Sequence, residues 1–180
     1  MDAETWHIPL RNDTITIRKA LKTMESFKLD QQDVPFIIRL FENPKYKMLP
    51  GAVSLANHDI IHVLLGRGLL PKDEAFVIGF TMGTTKRLTS IHKSIFRFVS
   101  RYLYPEGYRF GKEELEVFEN GRRAAEKMDC PDFSKLDLTK YLGYNIQRAR
   151  RSLDIDYAEL VKEYVLEKIL YDSVESKRLL

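Results

Sequence analysis

Cysteine is the scarcest resource of this chain: Cys130 stands alone among 180 residues. A single thiol cannot close an internal disulfide, so a reducing compartment is expected and a cysteine-built metal cluster is excluded. Long apolar runs are also missing. The longest, AFVIGFTMG around residues 75–83, falls far short of the roughly 20 residues that span a bilayer. The opening MDAETWH is acidic, with neither the apolar segment of a secretory signal nor the Arg-rich, acid-poor look of a transit peptide. The expectation is therefore a cytoplasmic protein whose membrane contact, where it occurs, is peripheral and on the inner face. No low-complexity tract, Ser/Gly linker or repeat divides the sequence, and 180 residues suit one domain with a core of its own. Strand-like alternation never persists, which excludes a sheet.

What the chain does have is helical periodicity. Hydrophobic residues make up 44%, with ten Phe and nine Tyr to fill a core. Ile17, Leu21, Met24 and Phe27 recur at helical spacing, with Asp13 or Thr14 available as cap. A short helix opens near Val34-Pro35 and closes at Asn43-Pro44. Ser54 caps a helix that stops at Leu65 before Gly66, and Pro71 starts the next, through Met82. Further helices are expected over about 90–104, 112–128, 138–153 and 157–174, with a turn-rich loop at 130–137. The predicted fold is all-α.

Net charge is only +3, but it is unevenly spread. Between residues 84 and 112, Lys86, Arg87, Lys93, Arg97, Arg101, Arg109 and Lys112 face the single acid Glu106. The aromatics interleaved there fall on the buried side of the helical pattern, so nucleic acid is not expected as a partner. A solvated face, or one that meets anionic headgroups, is. Arg148, Arg150 and Arg151 read as exposed helix cations near a C-terminus. His92 reads as surface, His7 as part of an unstructured start, and Cys130 as a loop thiol.

The chemistry concentrates in NHDIIHVLLGRGLLPKDEAF, residues 57–76. On a helix His58 and His62 lie about 40° apart on one face, close enough to share a metal ion. A His-x-x-x-His pair alone is commonly an accident of composition. Here Asp59, about 60° from His62, shares the broad face. Eleven residues separate His62 from Glu74, which places Glu74 a turn into the next helix, at similar height if the two helices form an antiparallel hairpin. Three or four N/O ligands from two helices suit zinc first, and also iron or manganese. The zinc-protease pattern H-E-x-x-H is the rival, but its base is Glu, and this chain offers no strand to align a peptide. A metallohydrolase is the weaker alternative. GRGLLPKDE lacks the spacing and the Lys-Ser/Thr ending of a P-loop.

His58-Asp59-x-x-His62, eleven residues, then Glu74 resembles the signature of the Coq-four family, the fourth protein of coenzyme Q (ubiquinone) biosynthesis. HDIIHVLLGRG, DEAFVIGFTMG, ENGRRAAEKM and YNIQRARRSLDID are similar to neighbouring family segments, over about residues 30–157. The resemblance implies a helical fold and a zinc-type metal on His58, Asp59, His62 and Glu74. It also implies a channel for an isoprenoid tail and peripheral attachment beside other quinone-synthesis enzymes. The implied activity is removal of a ring carboxylate with hydroxylation at that carbon; the alternative is a non-catalytic, lipid-binding scaffold with a structural metal. Without a mitochondrial leader, a bacterial member is expected. Phe76, Ile78, Phe80, Met82, Ile91, Ile95, Phe98 and Val99 are core residues by default and channel lining by resemblance. The helix over about 157–174 lies past the family-like part and could pack within the chain or pair in a homodimer.

Overall fold

Ser54 takes extended backbone and accepts the Asn57 amide, and Gly66 ends the same helix in the left-handed region at φ 67°. Both do what their side chains favour. In this computed structural model residues 6–25, 53–85 and 110–180 are described. They form seven α-helices: α1 (Ile17–Glu25), α2 (Leu55–Leu65), α3 (Pro71–Gly83), α4 (Lys112–Lys127), α5 (Ile146–Ser152), α6 (Tyr157–Leu170) and α7 (Val174–Lys177). Two 3-10 turns, Phe133–Lys135 and Leu138–Tyr141, join α4 to α5. Among the described residues there is no strand, only the isolated bridge Thr16–Asn145, so the all-α expectation holds. No helix among them is long and apolar enough to cross a membrane.

α3 is the middle of the fold. It packs against α2, α4 and α7, and nearly all of its residues are buried. Its contact with α4 is unusually close because of glycine. A Cβ on Gly79 would stand 2.1 Å from the Phe118 carbonyl oxygen, and one on Gly121 would stand 2.4 Å from that of Phe76. The backbones therefore touch where a side chain would hold them apart. Around that seam Phe76, Phe80, Phe118 and Phe133 are fully buried, each contributing about 2–3 kcal/mol of transfer free energy.

Three sequence expectations need correction. The helix expected over 138–153 is a 3-10 turn and a separate α5, because the Asn145 side chain caps α5 by accepting the Arg148 amide. Tyr144 and Leu142 lend their carbonyls to Ile17 and Arg18 instead of to a continuing helix. The helix expected through residue 174 stops at Leu170, where Tyr171 turns extended and its hydroxyl bonds Glu116 at 2.6 Å; Ser173 then caps α7. The segment from Trp6 to Leu10, with His7 in it, is not unstructured: Trp6, Ile8 and Leu10 are buried, and the Trp6 indole N–H reaches Thr23 Oγ1 at 3.1 Å. The helices expected near 34–43 and 90–104 lie outside the described residues, as does nearly all of the basic stretch.

Candidate metal centre

The hairpin of α2 and α3 sets the site. α2 is anchored at both ends to residues distant in sequence. Asn57, next to His58, donates to the Leu136 carbonyl at 2.7 Å and accepts the Leu138 amide at 3.0 Å. At the other end Tyr164 Oη donates to the Leu65 carbonyl at 2.6 Å, and Arg150 Nε to that of Leu64 at 2.7 Å. Arg150 is thus buried and caps α2, not the exposed cation its sequence position suggested. Pro71 opens α3, where its missing N–H costs nothing, and Glu74 sits in the first turn.

His58 and His62 stand edge to face, ring centroids 4.7 Å apart. Their Nε2 atoms are 3.0 Å from each other. Glu74 faces both rings, one oxygen to each: Oε2 lies 3.1 Å from His58 Nε2, and Oε1 lies 3.2 Å from His62 Nε2. Burial opposes a charge on His62, but Glu74, helped by Asp59 and Asp73, outweighs it and raises the pKa. Burial also opposes ionisation of Glu74, and the two imidazoles outweigh it, holding this carboxyl well below the usual range.

Comparison of the chain with protein-family models, with curated proteins and with solved structures finds no match. The site's chemistry stands on its own atoms.

Each neutral imidazole nitrogen is a donor or an acceptor, never both, and a carboxylate only accepts. Hydrogens on both Nε2 atoms let each ring donate to its own Glu74 oxygen, His58 to Oε2 and His62 to Oε1, but leave two N–H groups side by side across 3.0 Å. A cation bound by both nitrogens and the carboxylate would replace that contact with attraction. Bonds of 2.0–2.1 Å in a tetrahedral site put ligand atoms about 3.3 Å apart, near the 3.0 Å between the two Nε2 atoms and the 3.1 and 3.2 Å from each to its own Glu74 oxygen.

His58, His62 and Glu74 are thus brought together, with donor atoms all within 4.8 Å of one another. Asp59 is half-buried and near enough for its charge to act on His62, but it stands outside that donor group.

Behind the site is a second charged cluster that sequence reasoning missed. Arg67, wholly buried, donates two hydrogen bonds to Glu167 of α6, at 2.8 and 2.6 Å, with its guanidinium over the edge-to-face rings of Phe76 and Tyr164. Asp73, also wholly buried, takes Arg178 Nη2 at 2.6 Å. Arg67 and Asp73 lie inside the stretch that drew notice, yet their partners follow about a hundred residues later, where no spacing rule reaches. Of the channel stripe, Phe76, Ile78, Phe80 and Met82 are core, and its other half lies outside the described residues. Cys130 is buried, donates to the Asp154 carbonyl, and has its pKa pushed up to about 12 by burial, so it is an inert thiol.

Proposed function

We propose that His58, His62 and Glu74 hold a divalent metal, zinc by preference, and that the protein serves prenylquinone biosynthesis by acting on a prenylated aromatic ring acid. The convergence of two imidazole nitrogens and a carboxylate within 4.8 Å, on two facing helices, is the observation that supports the metal. Imidazole and carboxylate together suit zinc, iron or manganese, and the choice of zinc rests on the family resemblance. The quinone context rests on the sequence resemblance alone, the His-Asp-x-x-His…Glu motif with its flanking segments, since no family model matches the chain. A bound metal would supply Lewis acidity toward the ring carboxylate. Around it, this chain's residues would orient the acid. The edge formed by His58 and Glu74 is the approach, with side chains 10% and 16% exposed against 1% for His62.

A prenylated tail, peripheral membrane contact and other quinone-synthesis proteins belong to the same reading. Leu166, Ile169, Leu170 and Val174 supply an exposed apolar surface for such contacts or for a homodimer. A second reading, a structural metal in a lipid-binding scaffold, draws on the complete burial of His62 and on the way the cluster ties α2 to α3.

The test is quinone synthesis in cells that depend on this chain, comparing wild type with His62→Ala and His58→Ala. The catalytic reading expects both variants to accumulate as folded protein and to lose synthesis. Full synthesis by a folded, metal-free variant would contradict it. Loss of the fold along with the metal would favour the scaffold.

A further inference from the structure

Glu74 is held in place by its neighbour. Asp73 occupies the third position of α3, and its Oδ2 accepts the backbone N–H of Leu70, the residue that caps the helix, at 3.3 Å. That contact fixes the first turn of α3, and Glu74 is in the same turn, so the cap sets the height and rotation at which the Glu74 carboxylate meets the histidines. The same Oδ2 receives Arg178 Nη2 at 2.6 Å, from just beyond α7. Arg67 Nη1 stands 3.9 Å from Oδ1, which has no hydrogen bond of its own.

The route to Asp73 passes over a glycine. A Cβ on Gly68 would fall 2.0 Å from Arg178 Nη2, 2.7 Å from the Trp6 carbonyl oxygen and 2.8 Å from Asp73 Oδ2. The φ of Gly68 is outside the left-handed region, so its backbone does not require glycine; the space for the guanidinium does.

We propose that Asp73 is a positioning residue for Glu74, and that Arg178, passing through the gap at Gly68, holds Asp73 in that role and so tunes the metal site from the C-terminal segment. This rests on the metal reading above. Partners in the second layer of a metal site typically change affinity by about 10–100-fold when removed, because they fix the direction of the ligand.

The experiment measures zinc affinity, and the visible spectrum of the cobalt-substituted full chain, for wild type, Arg178→Gln, Arg178→Lys, Gly68→Ala and Lys177→Gln. Arg178→Gln and Gly68→Ala are expected to weaken zinc about tenfold or more and to shift the cobalt bands. Arg178→Lys, which keeps the charge, recovers part of the affinity. Lys177→Gln, which removes only a surface pair with Asp172, leaves both readouts unchanged. Gly68→Ala removes no charge, and so decides the matter if Arg178→Gln fails to fold. Variants that lose stability but bind zinc as wild type does would overturn the positioning role alone. A wild type that binds no metal would overturn the metal reading and this inference together.

Discussion

Two buried charged clusters are built on the α2–α3 hairpin, and they are built differently. Arg67, Asp73, Glu167 and Arg178 balance two cations against two carboxylates, and the donors of Arg67 and Arg178 face acceptors at 2.6–2.8 Å. His58, His62 and Glu74 bring two imidazole nitrogens and a carboxylate, ligand types that suit a divalent cation, to one place. The first cluster pairs cation with anion inside the chain, though Asp73 Oδ1 and Arg67 Nε lack a hydrogen bond. Burial of charge is common to both, so burial alone marks no site; the difference lies in the kind of donor atoms each brings together.

The largest effects test the first cluster. Breaking a buried pair by removing one partner strands the other charge. Arg67→Met and Glu167→Leu are each expected to lower unfolding free energy by about 3–5 kcal/mol, read from urea midpoints. The double variant should recover much of that loss. No recovery would mean that Arg67's stacking on Phe76 and Tyr164, and not the ion pair, carries the energy.

The second cluster should respond to metal. At free zinc about a hundredfold above Kd, wild type is expected to gain about 2.7 kcal/mol of stability, and His62→Ala none. An equal gain in both would place zinc elsewhere.

How far this contrast was legible depends on separation along the chain. Ser54, Gly66 and Pro71 announce the two helices by local chemistry, and His58, His62 and Glu74 fall together because helix period and a short turn fix their relative heights. Asp59 shows the limit: a shared helical face does not bring a carboxylate into the donor group. Asn57, Arg67, Asp73 and Arg150 were all visible as residues but not as contacts. Their partners, Leu136, Glu167, Arg178 and Leu64, are chosen by packing of distant elements. The single helix expected over 138–153 failed for a related reason, since Asn145 and the bridge to Thr16 interrupt a pattern that is periodic on both sides.

Smaller effects sharpen the comparison from the frame around it. Gly79→Ala should cost about 1–3 kcal/mol by forcing α3 from α4, less whatever the better helix propensity returns, with zinc affinity nearly intact because the seam's closest contacts fall on Phe76, Phe80 and Phe118 and not on Glu74. A large loss of affinity would show that the seam sets the site. The last expected effect is one of pH. Burial, then the positive charge of Arg178, lowers the His7 pKa to about 4 from its ordinary 6.5. The fold thus prefers the neutral ring. Its contribution is full above about 6.5 and is lost as pH falls towards 4. Replacing His7 by Gln should flatten the fall of the urea midpoint between those limits. An unchanged slope would assign the acid sensitivity to other groups.

The central claim, that His58, His62 and Glu74 form a metal centre, meets its most direct test in elemental analysis of the full chain purified without chelators, wild type beside His62→Ala. The account predicts about one zinc, iron or manganese ion per wild-type chain and almost none in the variant. A wild type free of stoichiometric metal, which stays free after incubation with zinc, would contradict it.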